Sequence, residues 1–220
     1  IYLADLGPAR VVETSDYLGG AESGMRAYYT TAPADKLRES LASYMRTEYQ
    51  AEELTGMEFS NPKDLSQPFR IRLEAARGSR GVTDLGDAAV ALFPRDLLRR
   101  LPDELVPDER DADMPPRQAE YVFTRPFQTE LRYRIVPPPG FPPAGFAPAG
   151  LPASRGRRLG PARLAETYAP GADGTVTATL RFDVGKRRNS AREFDELRIS
   201  AGAIAREEAV LISFEQVGEA

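Results

Sequence analysis

The chain has 220 residues, a formal net charge of -4 at pH 7, and neither cysteine nor histidine. These counts exclude a thiol nucleophile, an imidazole base, a disulfide framework and a zinc site built from cysteine and histidine. The net negative charge gives no global field for binding phosphates, and no run of residues is apolar for long enough to span a bilayer as a helix. Neither nucleic acid nor membrane insertion is therefore predicted.

The first half of the chain predicts strands and one clear helix. Residues 9–17 combine β-branched and polar side chains before Gly19-Gly20, which favours a strand followed by a turn. Residues 33–49 start with a proline suited to a first helical turn. Their apolar stripe has helical spacing and comprises Leu37, Leu41, Tyr44 and Met45. We expect this stripe to pack against a sheet, with a partner-binding groove as the alternative.

A second strand follows, and weaker signals come after it. Residues 69–75 alternate apolar and charged side chains, which predicts a strand with one solvated face. Residues 77–81 predict a turn. Beyond them, 88–93 indicates a short apolar strand and 96–101 a helical turn.

Residues 101–117 are rich in proline and acidic side chains, a composition typical of an exposed connection. We therefore divide the chain into an α+β segment, 1–115, and a β-sandwich segment, 116–220. One composite domain is the alternative.

The second half has the more regular strand pattern. Residues 129–136 direct leucine, tyrosine and isoleucine to one face and arginine to the other. Residues 163–169 and 175–183 flank a Gly- and Asp-containing loop, which predicts a β-hairpin. A helix is predicted over 190–200 and a last strand over 209–217. The predicted fold class is mainly β: an antiparallel, jelly-roll-like sandwich with one or two packed helices and an α+β N-terminal half.

One low-complexity tract, residues 137–152, repeats a glycine followed by phenylalanine or leucine every five residues. Phe141 and Phe146 occupy equivalent positions in that repeat. They are the candidate interface residues, because a stiff proline-rich ridge can present aromatic side chains to a neighbouring domain. The alternative is an inter-strand loop that packs both aromatics on its own sheet.

Other routes to catalysis or cofactor binding each lack a required element. The acidic residues at 108–113 have neither the central glycine nor the distal glutamate of a calcium loop. The glycines at 78–81 and 156–160 lack the Lys-Ser/Thr ending of a phosphate loop. Basic clusters at 155–158 and 186–188 lack interleaved aromatics for stacking bases. We assign no catalytic, metal-binding or cofactor-binding residue and expect no cofactor.

Several short motifs resemble one family in order along the chain. The first two are LGPARVVET at 6–14 and the residues Gly20, Met25-Arg26 and Tyr28-Tyr29. The later ones are Phe127 with ELRYRI at 130–135, PPGF at 138–141, LRF at 180–182, and Glu193-Phe194 with Leu197-Arg198. Together they are similar to the β-rich region that follows the catalytic core in bacterial transglutaminase-like proteins, whose core is papain-like.

This resemblance implies a non-catalytic structural or interaction domain. The family's catalytic Cys, His and Asp belong to the preceding core. The resemblance implies that this core is the partner of the present chain and that the domain shapes the cleft of the core. A further protein or cell-envelope partner, and a periplasmic or envelope location, are also implied. The alternatives are a free-standing β-sandwich module that binds glycan or peptide, and, third, an enzyme using only Asp, Glu, Tyr, Ser and Arg.

Overall fold

The computed structural model describes residues 1–98, 105, 117–123, 128–138 and 146–216. It confirms the predicted class: a mainly β chain with antiparallel sheets and packed helices. The chain divides into two compact units, one formed by Ile1–Ala89 with Val136–Pro142 and the other by Val90–Ile135 with Pro143–Ala220. These units are groups of mutual contacts, so the division into domains 1–115 and 116–220 stays a prediction.

The first unit is built on three antiparallel strands: β1 (Gly7–Tyr17), β2 (Glu53–Phe59) and β3 (Phe69–Thr83). The long β3 pairs with both others, so that Tyr17 lies opposite Phe69 and Phe59 lies opposite Ile71. The predicted alternation over 69–75 is confirmed, because Phe69, Ile71, Leu73 and Ala75 are all buried. Near the N-terminus, Tyr2 bridges both Arg10 and Val136.

Two helices pack on this sheet: α1 (Gly19–Thr31) and α2 (Ala34–Tyr49). The predicted 33–49 helix is confirmed with Pro33 as its N-cap, and Leu37 and Met45 of its stripe are buried. The core of the unit joins these residues to Tyr29, Leu54 and the inward side chains of β1 and β3. The sheet therefore has one face covered by helices and one polar face.

The strand β4 (Asp87–Leu92) and the short helix α3 (Arg95–Leu98) confirm the signals near residues 88–101. In the second unit, β5 (Tyr121–Val122) pairs with β11 (Arg188–Asn189), and β7 (Phe146–Ala149) pairs with β12 (Val210–Gln216). The remaining described strands of this unit are β6 (Gln128–Ile135), β8 (Arg155–Leu159), β9 (Ala162–Pro170) and β10 (Val176–Asp183). They form a four-stranded sheet in the order β6-β10-β9-β8. The β9–β10 hairpin and the strand over 209–217 are confirmed.

The helix α4 (Ala191–Ala205) begins at a capping box, in which Ser190 and Glu193 exchange side-chain-to-backbone hydrogen bonds. It buries Phe194, Leu197 and Ile204 in a core that includes Phe182 and Leu164. Gly160 makes the tight turn between β8 and β9 with φ 59°. An added Cβ there would lie 2.9 Å from the Glu193 carbonyl, so the turn needs glycine.

Two predicted turns are wrong, and several short strands, among them β2 and β7, were not predicted. Residues 19–31 form a helix where the sequence indicated a turn. Residues 77–81 continue β3, with Arg77 in the left-handed region at φ 57°. In the proline-rich tract, β7 pairs with β12 because an extended backbone can add a strand there. The acidic connection over 101–117 lies outside the described residues, except for Leu105, which is buried, and Arg117.

Candidate functional site

The two predicted interface residues fall at the margin of what the structure describes. Phe141 lies outside the described residues. The backbone of Phe146 begins β7 and lies opposite Gln216. Their role in docking another domain therefore stays a prediction.

A groove of about 310 Å³ lies at one end of the strands β1, β2 and β3 of the first unit. The register of the strands creates it: β1 ends just after Asp16, β2 ends at Phe59, and β3 begins beside them just before Arg70. Phe59 and Pro68 supply the apolar part of the lining. The polar part consists of Asp16, Glu58, Ser60, Gln67, Arg70 and Arg72. We refer to these eight residues as the Phe59 groove.

A buried arginine fixes the loop that forms one wall of the groove. The Arg26 side chain in α1 is only 7% exposed. Its Nη1 donates to the main-chain carbonyls of Asn61 and Pro62 over 3.2 and 3.1 Å, and its Nη2 donates to that of Gln67 over 2.6 Å. Glu22, one turn earlier in α1, accepts from the same guanidinium at 2.7 Å. The 60–68 loop is thus held from inside the molecule.

The same loop is also organised by its own side chains. The Asp64 carboxylate accepts hydrogen bonds from the Ser66 hydroxyl at 2.6 Å and the Ser66 N–H at 3.0 Å. Gln67 donates to the second oxygen of this carboxylate at 3.0 Å. The hydroxyl hydrogen bond from Ser66, followed by the backbone one, lowers the pKa of Asp64. The loop therefore keeps a defined shape around an ionised carboxylate.

The charged groups of the groove are arranged as opposite pairs. Arg70 donates to both carboxylate oxygens of Asp16, over 2.6 and 2.9 Å. This hydrogen bonding lowers the pKa of Asp16 and raises that of Arg70. Arg72 lies 4.0 Å from Glu58 and also donates to Glu74. The groove consequently presents many hydrogen-bonding groups with little net charge.

A second polar cluster lies in the four-stranded sheet of the other unit. The Glu166 side chain is completely buried and accepts from Arg157 at 2.5 Å and from Arg155 at 3.1 Å. Glu207 accepts from the same two arginines. Burial, followed by the charge of Glu166, raises the pKa of Tyr168 to about 12. Arg155 and Arg157 of the basic cluster at 155–158 are therefore paired with carboxylates, and Arg158 donates to the Gly160 carbonyl.

A third cluster joins β1 to α2 in the first unit. The Glu13 carboxylate accepts hydrogen bonds from the hydroxyls of Tyr44 at 2.9 Å, Tyr49 at 2.7 Å and Ser15 at 2.9 Å. Burial raises the pKa of the nearby Tyr29 hydroxyl. These contacts connect a strand to the helix that covers it, which is a structural use of a carboxylate.

The Phe59 groove combines a concave surface with an exposed phenylalanine and polar groups, and Tyr44 of the third cluster lines a second concavity on α2. Sequence reasoning missed the Phe59 groove because its residues come from three separated segments. The available signal was Phe59 directly before the polar Ser60–Lys63 stretch, next to a strand whose outward residues are arginines. Within the described parts of the chain, no group of three or more potential ligand side chains is placed to hold a metal ion. No helix among the described residues is long and apolar enough to cross a bilayer.

Comparisons of the chain with family models, with curated proteins and with solved structures find no match.

Proposed function

We propose that this chain is the non-catalytic C-terminal β-sandwich region of a bacterial transglutaminase-like protein. In this role it packs on a papain-like, cysteine-dependent core outside the chain and shapes access to the cleft of that core. The observation that carries the proposal is the location of the motif residues on which the family resemblance rests. Several of them lie in the interiors of the two units, whereas others, such as Leu6 and Tyr28, are exposed.

Arg26 and Tyr29 are 6% exposed, and Arg26 holds the 60–68 loop. Phe182 and Leu197 are fully buried, and Phe194 is 5% exposed. Side chains in such positions determine the shape of the units and the surfaces that they present. A signature of this kind supports a domain whose role is to hold a shape against another part of the protein.

Association with the core tests this proposal directly. The region that precedes the chain in its parent protein is expressed separately, and binding between the two is measured by calorimetry. We expect saturable binding that weakens when Phe141 and Phe146 are both changed to Ser. The control changes Leu85 and Ile199 to Ser, since both are exposed, at 87% and 71%, and lie outside the proline-rich tract.

Two results would contradict the proposal. One is the absence of a Cys, His and Asp at core spacing in the parent sequence. The other is unchanged association of the double Phe variant combined with a clearly lowered Tm, which would make both aromatics ordinary core residues. We also expect the isolated chain to show no acyl-transfer, peptidase or zinc-dependent activity. Turnover abolished by changing one Asp, Glu or Ser of the chain would overturn that expectation.

The second candidate function is a binding module for glycan or peptide. The Phe59 groove favours it, because small-molecule sites are concave and combine apolar surface with a few placed polar groups. The two roles differ in where binding occurs: the packing role needs a neighbouring core, whereas the module binds its ligand as the isolated chain.

A further inference from the structure

The outer edge of β1 already carries a short added strand at one end, the N-terminal tripeptide Ile1–Leu3. The N–H of Tyr2 donates to the Arg10 carbonyl over 2.8 Å, and the N–H of Arg10 donates back to Tyr2 over 2.9 Å. This reciprocal pair is antiparallel. On its other side the tripeptide exchanges hydrogen bonds with Val136. The edge of β1 therefore accepts a strand next to Arg10.

Beyond Arg10, β1 turns a row of backbone groups away from the sheet. The Ser60 N–H donates to the Arg70 carbonyl over 2.9 Å, so Arg70 directs its backbone groups toward the β2 side. Because these groups alternate in direction along a strand, the residues on either side of Arg70 bond to β1. Val12, Thr14 and Asp16 consequently direct their N–H and C=O groups outward. Within the described parts of the chain, no backbone group is bonded to them there.

This outward-facing stretch lacks the usual protection of an edge strand. Natural edges are commonly blocked by proline, by bulges or by charged side chains. Residues 12–16 contain no proline, and the register shifts of β1 lie before them. Asp16 is bound to Arg70, and Glu13 is bound to the Tyr44 hydroxyl, so both carboxylates are engaged on the faces of the sheet. An extended backbone can therefore approach this edge.

The side chains of an added strand would also have room beside α2. Tyr44 donates to Glu13 of β1, whereas Arg38, on the opposite flank of the helix, donates to the Leu54 carbonyl of β2 over 3.3 Å. The flank of α2 that carries Tyr44 therefore faces β1. A concavity of about 520 Å³ follows this flank and has Ser40 and Tyr44 in its lining. Side chains directed from an added strand toward the helices would lie in this concavity.

The pairing of Tyr2 with Arg10 fixes the direction and register of a strand that continues backward from the tripeptide. In an antiparallel pair, each residue further back in one strand lies opposite a residue one further forward in the other. The residue directly before the tripeptide then meets Val12, the third before it meets Thr14, and the fifth meets Asp16. These are the three residues whose backbone groups point outward.

We infer that the segment joining the papain-like core to Ile1 in the parent protein adds to β1 as an antiparallel strand paired with residues 12–16. This assignment rests on the packing role proposed above, in which a core precedes the chain. It adds to that role a means of attachment, because a hydrogen-bonded extended linker fixes the direction in which the core leaves the first unit. A second copy of β1 is the competing occupant.

Hydrogen exchange followed by NMR tests the assignment on two chains. One is the 220-residue chain, and the other is the same chain extended by the parent residues that would pair with 12–16. In the shorter chain, the amides of Val12 and Thr14 should exchange rapidly, whereas those of Glu13 and Ser15 are protected by bonding to β3. The extension should slow exchange at Val12 and Thr14 by about tenfold or more and leave Glu13 and Ser15 unchanged.

Thr14→Pro isolates the contribution of the backbone. The Thr14 N–H points away from β3, so proline removes an edge donor and keeps the hydrogen bonds between β1 and β3. In the extended Thr14→Pro chain, the slower exchange of Val12 should be lost. The matched control is Thr14→Val, which retains the N–H and should retain the protection.

Because proline can lower the Tm of both chains, the second measurement is the difference in Tm between the extended and the 220-residue form of each variant. We expect the extension to raise Tm by about 2–4 °C in the unsubstituted chain and in Thr14→Val. In Thr14→Pro it should give no rise.

Four other results would overturn the assignment. Exchange at Val12 and Thr14 that is unchanged by the extension, or protection that survives Thr14→Pro, would mean that the preceding segment does not pair with this edge. Protection in the 220-residue chain that increases with its concentration would make a second copy the occupant. Protection there that is independent of concentration would mean that the edge is already covered.

The packing role is decided separately, by the calorimetric association experiment and by the parent sequence. A parent without Cys, His and Asp at core spacing would remove that role. Slower exchange on extension would in that case still show strand addition by the segment before Ile1.

Discussion

Arg26 in α1 donates a hydrogen bond over 2.6 Å to the main-chain carbonyl of Gln67, 41 residues later in the sequence. The contact connects the interior of the first unit to the loop that forms a wall of the Phe59 groove. Backbone carbonyls at the end of a loop are normally satisfied by water or by turn hydrogen bonds. Here a forked cation satisfies several of them at once, which makes the shape of the surface depend on a core residue.

The first prediction concerns this clamp. Arg26→Ala should reduce the free energy of unfolding by roughly 2–4 kcal/mol, because it leaves three carbonyls and the Glu22 carboxylate without their donor. Arg26→Lys should recover only part of the loss, since an ammonium lacks the fork. Urea unfolding of the Arg26→Ala and Arg26→Lys variants measures both losses.

The control for the Arg26 variants is Lys36→Ala, which breaks an exposed ion pair between Lys36 and Glu39, both in α2. Its effect should be within about 0.5 kcal/mol. A loss below about 1 kcal/mol for Arg26→Ala would mean that water replaces the guanidinium without strain.

The second prediction separates two aromatic residues of the four-stranded sheet. Phe182→Ala should cost roughly 3–5 kcal/mol, because Phe182 is fully buried in the core shared with α4. Tyr133, on the neighbouring strand β6, is only partly buried, so Tyr133→Ala should cost less, about 1–3 kcal/mol. Thermal and urea unfolding of both variants test the order. A loss below about 1 kcal/mol for Phe182→Ala would show that the inward face of β10 is not the packed one, and equal losses would show that Tyr133 is packed as well as Phe182.

Sequence reasoning predicted α2 and the first half of β3 because their apolar periods are clean. Leu37 and Met45 recur at helical spacing, and residues 69–75 alternate strictly between buried and solvated side chains. The hairpin between β9 and β10 was likewise predicted, from the composition of its loop. In these elements the spacing of the apolar residues predicts both the type of secondary structure and which side chains are buried.

The missed helix α1 has a weaker pattern for a physical reason. It contains three glycines, and its two buried residues are Arg26 and Tyr29, so a charged side chain occupies the inner face. An arginine that is satisfied by loop carbonyls cannot be recognised as a buried position before the loop is placed. The Phe59 groove was not predicted because it exists only after β1, β2 and β3 are aligned.

The glycines at 78 and 81 were interpreted as a turn, but they allow two strands to approach. A Cβ at Gly78 would lie 2.9 Å from the Val11 side chain of β1. Gly78 therefore marks a close contact within the sheet, beside a register shift between β1 and β3. The sequence alone does not distinguish these two uses of glycine.

The third prediction tests the buried carboxylate of the second unit. Glu166→Gln should reduce the free energy of unfolding by roughly 3–5 kcal/mol, because it replaces the buried carboxylate that pairs with Arg157 and Arg155 by a neutral amide. Changing Glu166 and Arg157 together to Leu should cost less than the sum of Glu166→Leu and Arg157→Leu made singly. The control is Glu130→Gln, which alters an exposed pair with Arg132.

Urea unfolding of these variants decides whether the cluster acts as a unit. An additive double variant would show that Glu166 and Arg157 are not energetically coupled. A Glu166→Gln loss equal to that of the Glu130→Gln control would show that the cluster contributes no more than a surface pair.

The fourth prediction is a pH dependence at the start of α4. The hydrogen bond from Lys186, at 2.6 Å, and that from the Ser190 N–H lower the pKa of Glu193 from 4.5 to about 2. A carboxyl group whose pKa is lower in the folded chain stabilises it above the unfolded pKa, and this stabilisation is lost as the pH falls through the folded value. Glu193 should therefore stabilise α4 fully at pH 7 and progressively less between pH 4.5 and about 2.

Glu193→Gln removes the charge while retaining a side chain that can reach the N-cap. The gap between the urea midpoints of the parent chain and this variant should shrink as the pH is lowered through that window. Glu196→Gln, on the same helix, controls for the loss of one exposed negative charge. A gap of constant size from pH 7 down to the acid limit would mean that the ionised form of Glu193 contributes nothing to the cap.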